Sequence, residues 1–304
     1  MTRLAPPLCH PLLVALCWGL GVLHGGFFPS AARAAELVRL TPPTWDANAP
    51  SGKEVDCIYG DYVLKNDRIW CVVADPLPTR NANMTVRNVG GCLIDLTRTD
   101  APNDQLSCYY PGGSRLAYEF HSARGGTGKE ITDQKEKLRL RGQAVELTVA
   151  AKENAQLQSL VTYRLVDGED YLRIVTRFVN SSDRALPVDL ADSIRADRSF
   201  EQRAGNSTNR LFWVYDRWFR QAYGVLSPEH TPQVSGGGRA GLAIRFQKEA
   251  AEVPPNGTLT LERFVFPGHD LFQVQAIAAK LDGSDLLPMP LAVADRRGDP
   301  IEGA

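Results

Sequence analysis

Three histidines, four cysteines, one aromatic run and a scatter of carboxylates carry whatever chemistry this sequence can do. Beyond the first 34 residues the histidines are His121, His230 and His269. They lie far apart and none is arranged as H-x-H or H-E-x-x-H, so no local signature of a hydrolytic metal site exists. A Ser-His-Asp set assembles through space, but no G-x-S-x-G elbow nominates a serine. The three histidines are therefore the catalytic candidates, set against the ordinary role of a surface or hydrogen-bonded histidine. Glu119, Glu130, Asp192, Asp197 and Asp216 could supply an acid and a base for glycoside or uronate chemistry.

The densest feature is Leu211 to Tyr223, which holds Phe212, Trp213, Tyr215, Trp218, Phe219 and Tyr223. Aromatic faces beside carboxylates and guanidinium groups suit stacking on sugar rings and other planar ligands. Trp213, Tyr215, Asp216, Arg217, Trp218 and Arg220 are thus the expected ligand-binding set, with Asn206 to Asn209 adding hydrogen-bonding groups. The partner this implies is a glycan or another cell-envelope ligand. Core packing accounts for such a run equally well. Cys57, Cys71, Cys92 and Cys108 could form two disulfides in any of three connectivities. No C-x-x-C spacing supports zinc, and neither a metal nor a cofactor is expected. Cys71, inside Ile69–Val73, also reads as a small buried hydrophobe.

These groups must be positioned by strands, because most of the chain alternates with period two. Tyr62 to Lys65 and Arg68 to Ala74 flank Asn66-Asp67 as a hairpin. Leu138 to Arg141 and Ala144 to Val149 repeat that layout around Gly142-Gln143, and Leu160 to Val166 with Tyr171 to Asn180 make a third hairpin. On the last strand Leu172, Ile174, Thr176 and Phe178 face one way, and Tyr171, Arg173, Val175, Arg177 and Val179 the other. That mixed face predicts a sheet open to water or ligand on one side. Further strands are expected at 185–190, 241–247 and 258–266, and Leu77 to Gly128 reads as loops. One helix is expected, capped by Asp270, with Leu271, Val274, Ile277, Ala278 and Leu281 as its apolar stripe and Asp282-Gly283 as its end.

Residues 1–34 read as a secretory signal: Arg3 opens a mostly apolar stretch from Leu12 to Leu23, and Ala32-Arg33-Ala34 fits the cleavage rule. The stretch is shorter than the ~20 residues of a spanning helix, so no membrane span is expected after cleavage. Two of the 34 basic residues leave with this leader and the rest face 35 acidic ones, a near-neutral balance with no footprint for nucleic acid. The sequence predicts a mainly β protein. Residues 36–283 form a large antiparallel β-sandwich with one C-terminal helix, and residues 284–304 a linker and first strands of a truncated further domain.

Two stretches carry a family likeness. Val293-Ala-Asp-Arg-Arg-Gly-Asp-Pro-Ile-Glu-Gly-Ala304 resembles the opening of the carboxypeptidase-regulatory-like domain, a transthyretin-like β-sandwich, and implies an accessory module. Gly60 to Arg68, Gly90 to Asp95, Asp104 to Leu106 and Tyr110-Pro111 resemble the N-terminal β region of large exported bacterial proteins, of planctomycete and myxobacterial type. The strands from Leu160 to Asn180 are similar to a galactose-mutarotase-like supersandwich, a family in which two histidines and a glutamate do the chemistry. Two functions follow as expectations. The first is a non-catalytic exported module that binds a carbohydrate or other ligand, or scaffolds a C-terminal part. The second is a carbohydrate-active enzyme, a mutarotase-like epimerase or a lyase, in which two histidines and a carboxylate share one concave pocket.

Overall fold

A computed structural model describes residues 34–113, 116–126, 128–134, 137–196, 200–203, 210–236 and 241–284. The expected leader, Asp197, Asn206 to Asn209 and the terminal hairpin lie outside these residues. The chain begins with β1 (Ala35–Arg39), a short helix α1 (Trp45–Asn48), β2 (Tyr62–Lys65), β3 (Ile69–Val73), β4 (Leu93–Arg98) and β5 (Leu106–Pro111). It continues through β6 (Tyr118–Arg124), β7 (Glu130–Ile131), β8 (Arg139–Gly142), β9 (Ala144–Lys152), β10 (Leu157–Val166) and β11 (Leu172–Asn180). Then come β12 (Leu186–Val188), β13 (Ala191–Ala196), β14 (Glu201–Arg203), β15 (Leu211–Asp216) and β16 (Gln221–Leu226). The last elements are β17 (Gln233–Gly236), β18 (Leu242–Arg245), β19 (Ala251–Val253), β20 (Thr258–Gly268) and the helix α2 (Leu271–Leu281).

Two nine-stranded antiparallel sheets hold nearly all of these strands. The first runs β17-β18-β13-β5-β4-β3-β2-β1-β8 and the second β14-β15-β16-β20-β11-β10-β9-β6-β7, while β12 and β19 pair separately. Alternate residues of each sheet meet in one core. Leu37, Leu64 and Val72 of the first sheet belong to the same buried cluster as Val149, Val161, Ile174 and Phe178 of the second. The protein is thus mainly β, as its period-two pattern implies, with one long helix at the C-terminal end of the described residues.

Three local expectations change. Leu138 to Val149 is not a hairpin, because β8 pairs with β1 in the first sheet while β9 pairs with β6 and β10 in the second. The chain crosses between sheets at Gln143, and Gly142 lets it pass Gly126, where an added Cβ would sit 2.6 Å from the Gly142 Cα. Leu77 to Gly128 keeps long loops, as expected, but also supplies β4, β5 and β6. β4 escapes a period-two reading because all six of its residues are buried, Asp95, Thr97 and Arg98 included. The stretch from Leu211 to Leu226 is itself a hairpin, β15 against β16.

Helix α2 forms where its sequence predicts. Asp270 accepts a hydrogen bond from the Gln273 N–H at 2.8 Å, a side-chain N-cap, and Val274, Ile277 and Ala278 are buried. That stripe packs on Leu211, Ala222, Leu226 and Phe266, covering the outer face of the second sheet over β15, β16 and β20.

Candidate functional site

The helix leaves the other half of that outer face open, and register explains the shape found there. Ser122, Thr148, Thr162 and Val175 align in one row across β6, β9, β10 and β11. A parallel row holds Arg124, Glu146, Arg164 and Arg173; another holds Glu119, Ala150, Leu160 and Arg177. Short side chains in the middle row between longer charged ones leave a trough. It forms a cleft of about 300 Å³, at the lower end of the usual range for small-ligand sites.

Its floor is hydroxylated. The Thr148 and Thr162 hydroxyls hydrogen-bond each other at 2.9 Å, and Leu160 and Val175 add apolar surface. His121, Arg124 and Glu130 line one side. The strand irregularity between Phe120 and Ser122 inserts His121 as an extra residue opposite β9, and a bulge of this kind re-aims a side chain. Arg124 bridges Glu130 at 3.2 Å, and hydrogen bonds from Ser122 and Arg124 hold the Glu130 carboxyl below its ordinary range. Glu146 pairs with Arg164 in the adjacent strand. Arg177 lines the cleft from β11.

The three histidines do not gather. His121 lines the cleft, His269 lies 3.3 Å from Asp100 through its Nε2, and His230 sits between β16 and β17. The two histidines and carboxylate expected to share one concave pocket are therefore not assembled.

The six aromatic-run candidates are divided among three environments. Trp213 and Tyr215 pack half-buried against the helix-covered cluster, whereas Phe212 and Tyr223 turn into the core between the sheets. Asp216 is buried and caps the β15–β16 turn, accepting hydrogen bonds from the Trp218 and Phe219 N–H groups at 2.8 and 2.9 Å. Arg217 pairs with Glu201 at 3.0 Å, Trp218 is 85 % exposed at the turn, and Arg220 takes a φ of +53° there. Strand alternation separates the neighbours that sequence proximity joined.

The expected disulfides are not formed. Cys57, Cys71, Cys92 and Cys108 are all free thiols and all buried, filling core positions as small hydrophobes do. Burial pushes the Cys57 and Cys71 thiols up, and the Cys108 thiol is raised by burial and by Cys92 beside it. No group of three or more metal-ligating side chains occurs among the described residues. No helix among them is long and apolar enough to cross a membrane. Of the polar cleft residues, His121 and Glu130 are candidates from the sequence, whereas Ser122, Arg124, Glu146, Thr148, Thr162 and Arg177 are not singled out by type. The signal for Arg177 was its place on the mixed face of β11.

No family model matches the chain, and no curated protein matches it. Several solved structures are similar to it. A TPR-domain containing protein from Parabacteroides distasonis is 11% identical with a TM-score of 0.49, over 78% of this chain and 50% of that one. The chain thus spans about half the length of that structure. A galactose mutarotase-like protein from Lactobacillus casei is 11% identical with a TM-score of 0.40, over 69% of this chain and 100% of that one. A second galactose mutarotase-like protein, from Clostridium acetobutylicum, is 10% identical with a TM-score of 0.37, over 68% and 95%. At such identities and TM-scores the likeness assigns neither a family nor a function.

Proposed function

We propose that the protein is an exported, non-catalytic β-sandwich module that binds a carbohydrate in the cleft on the outer face of its second sheet. The observation that carries this reading is the cleft's mixture of groups. Hydroxyls on Thr148 and Thr162, guanidinium donors on Arg124 and Arg177 and carboxylate acceptors on Glu130 and Glu146 line one trough. A ligand with many hydroxyls, each both donor and acceptor, meets such a set better than an apolar one does. The absence of catalysis rests on how those carboxylates are engaged: Arg124 holds Glu130 and Arg164 holds Glu146, so neither stands as a free base. Export rests on the leader-like residues 1–34.

A glycan array probed with the full chain tests this. Binding is expected, and Thr162→Trp, which fills the floor from the solvent side, should abolish it while Trp218→Ala leaves it intact. Binding that survives Thr162→Trp but is lost with Trp218→Ala moves the site to the β15–β16 turn. The enzyme reading has one observation in its favour, His121 beside Glu130 in the cleft. Chemical turnover of a bound glycan that disappears with His121→Ala would replace the binding module by that enzyme.

A further inference from the structure

The charges around the cleft are unevenly paired. Glu130 is taken by Arg124 at 3.2 Å and Glu146 by Arg164. Arg173, the next arginine along β11, is taken by Glu262 at 2.6 Å. Arg177 is the exception among the arginines described on this face. It is exposed, it lines the cleft, and no hydrogen-bond acceptor or carboxylate among the described residues meets it. Its cross-strand neighbours, Leu160 on β10 and Thr260 on β20, are uncharged. An exposed arginine is usually a solvated one, and many surface ion pairs contribute little. Here, however, the guanidinium stands on the wall of a concave site, beside the buried Leu160, so an anion paired with it would also be held by the cleft.

We propose that the cleft takes an acidic saccharide, a sugar bearing a carboxylate or a sulfate, with its acid group paired to Arg177. The inference rests on the carbohydrate reading of the cleft and adds the charge of the ligand. A guanidinium fork matches either anion through two parallel N–H bonds. Thr162 lies one strand away and Thr148 two, about 10 Å at the ordinary strand spacing. The acid group and the ring hydroxyls can therefore be held at once. Orientation follows from the same charges. Glu130 and Glu146 repel an anion placed at their side but accept hydrogen bonds from hydroxyls, so the acid end points to β11 and the hydroxyl-rich end to β6 and β9.

The test uses the full chain on an array that prints each glycan backbone in neutral, uronate-bearing and sulfated forms. Calorimetric titration of the best ligand and of its neutral twin follows at low ionic strength. The acidic form should bind about tenfold more tightly, as one added charge-assisted pair allows, and the ratio should shrink as salt is raised. Arg177→Gln should bring the ratio to about one, while Arg245→Gln, the same loss of charge on an exposed residue of the first sheet, should leave it unchanged. Whether the uronate or the sulfate arm carries the preference names the acid. Equal affinity for acidic and neutral twins, or a preference that persists in Arg177→Gln, overturns the acidic-ligand assignment and leaves the carbohydrate reading standing. Absence of binding to every glycan overturns both.

Discussion

Asp95 and Asp104 show how far a residue's type is from its behaviour. Both are fully buried. Asp95 accepts a hydrogen bond at Oδ1 from the Asp56 N–H at 2.8 Å, and Asp104 accepts at Oδ1 from the Leu96 N–H at 2.7 Å and the Tyr223 hydroxyl at 3.2 Å. The Oδ2 atom of each has no hydrogen-bond partner among the described residues. Burial, reinforced by the Asp56 and Asp61 carboxylates, pushes Asp95 up to about 8, and Asp104 is raised by burial and by Asp95. The folded protein therefore holds a proton on Asp95 that the unfolded chain releases near 3.8. More protons bound in the folded state make stability fall as pH rises, from about pH 4 until the folded group titrates near 8, with no further change above that. Urea unfolding at pH 5, 6.5 and 8 should show falling stability, and Asp95→Asn should flatten the slope. A slope unchanged by that substitution would rule the proton out as its source. The sequence places Asp95 only within a stretch that resembles a region of certain exported bacterial proteins, because desolvation arises from neighbours distant along the chain.

At the scale of elements, legibility depended on whether the determining pattern was local. Helix α2 could be read because both its cap and its 3.6-residue stripe lie within the segment itself. The same stripe predicts its energetics. Ile277→Ala removes buried methyl groups and should cost about 2 kcal/mol, while Phe272→Ala, 82 % exposed on the opposite side, should stay within about 0.5 kcal/mol. Chemical denaturation compares the two, and equal losses would mean that the stripe does not dock as described. The segment Leu138 to Val149 was misread for the opposite reason. Its Gly-Gln junction looks alike whether the flanking strands pair with each other or part to different sheets, and that choice is made by β1 and β10. The outer-face trough was half legible: alternation on β11 showed a mixed face, but the row Ser122, Thr148, Thr162 and Val175 exists only once the register is set.

The whole molecule depends on keeping its two sheets together, and most of that comes from the shared apolar core. A buried ion pair also crosses it. Arg263 on β20 of the second sheet is fully buried and grips Asp192 on β13 of the first through Nε and Nη2 at 2.7 and 3.0 Å. Its Nη1 donates to the Thr176 hydroxyl at 2.8 Å and the Leu261 carbonyl at 3.0 Å. Asp192 also accepts from the Tyr109 hydroxyl on β5 and from the Gly112 N–H at 2.8 Å, so both charges are well supplied with partners. Such a pair contributes little over apolar residues of matching volume, because removing two ions from water offsets their attraction. Breaking it from one side is different, since Asp192 then stays buried with its charge uncompensated. Arg263→Met should therefore cost about 3–5 kcal/mol in denaturant unfolding, whereas Arg263→Met with Asp192→Leu should recover much of that loss. A double variant as unstable as the sum of the two singles would show that the two side chains contribute independently, and would overturn the reading of them as a coupled pair. Recovery would instead show that the loss in Arg263→Met comes from the charge left uncompensated on Asp192, and that the core supplies most of the stability.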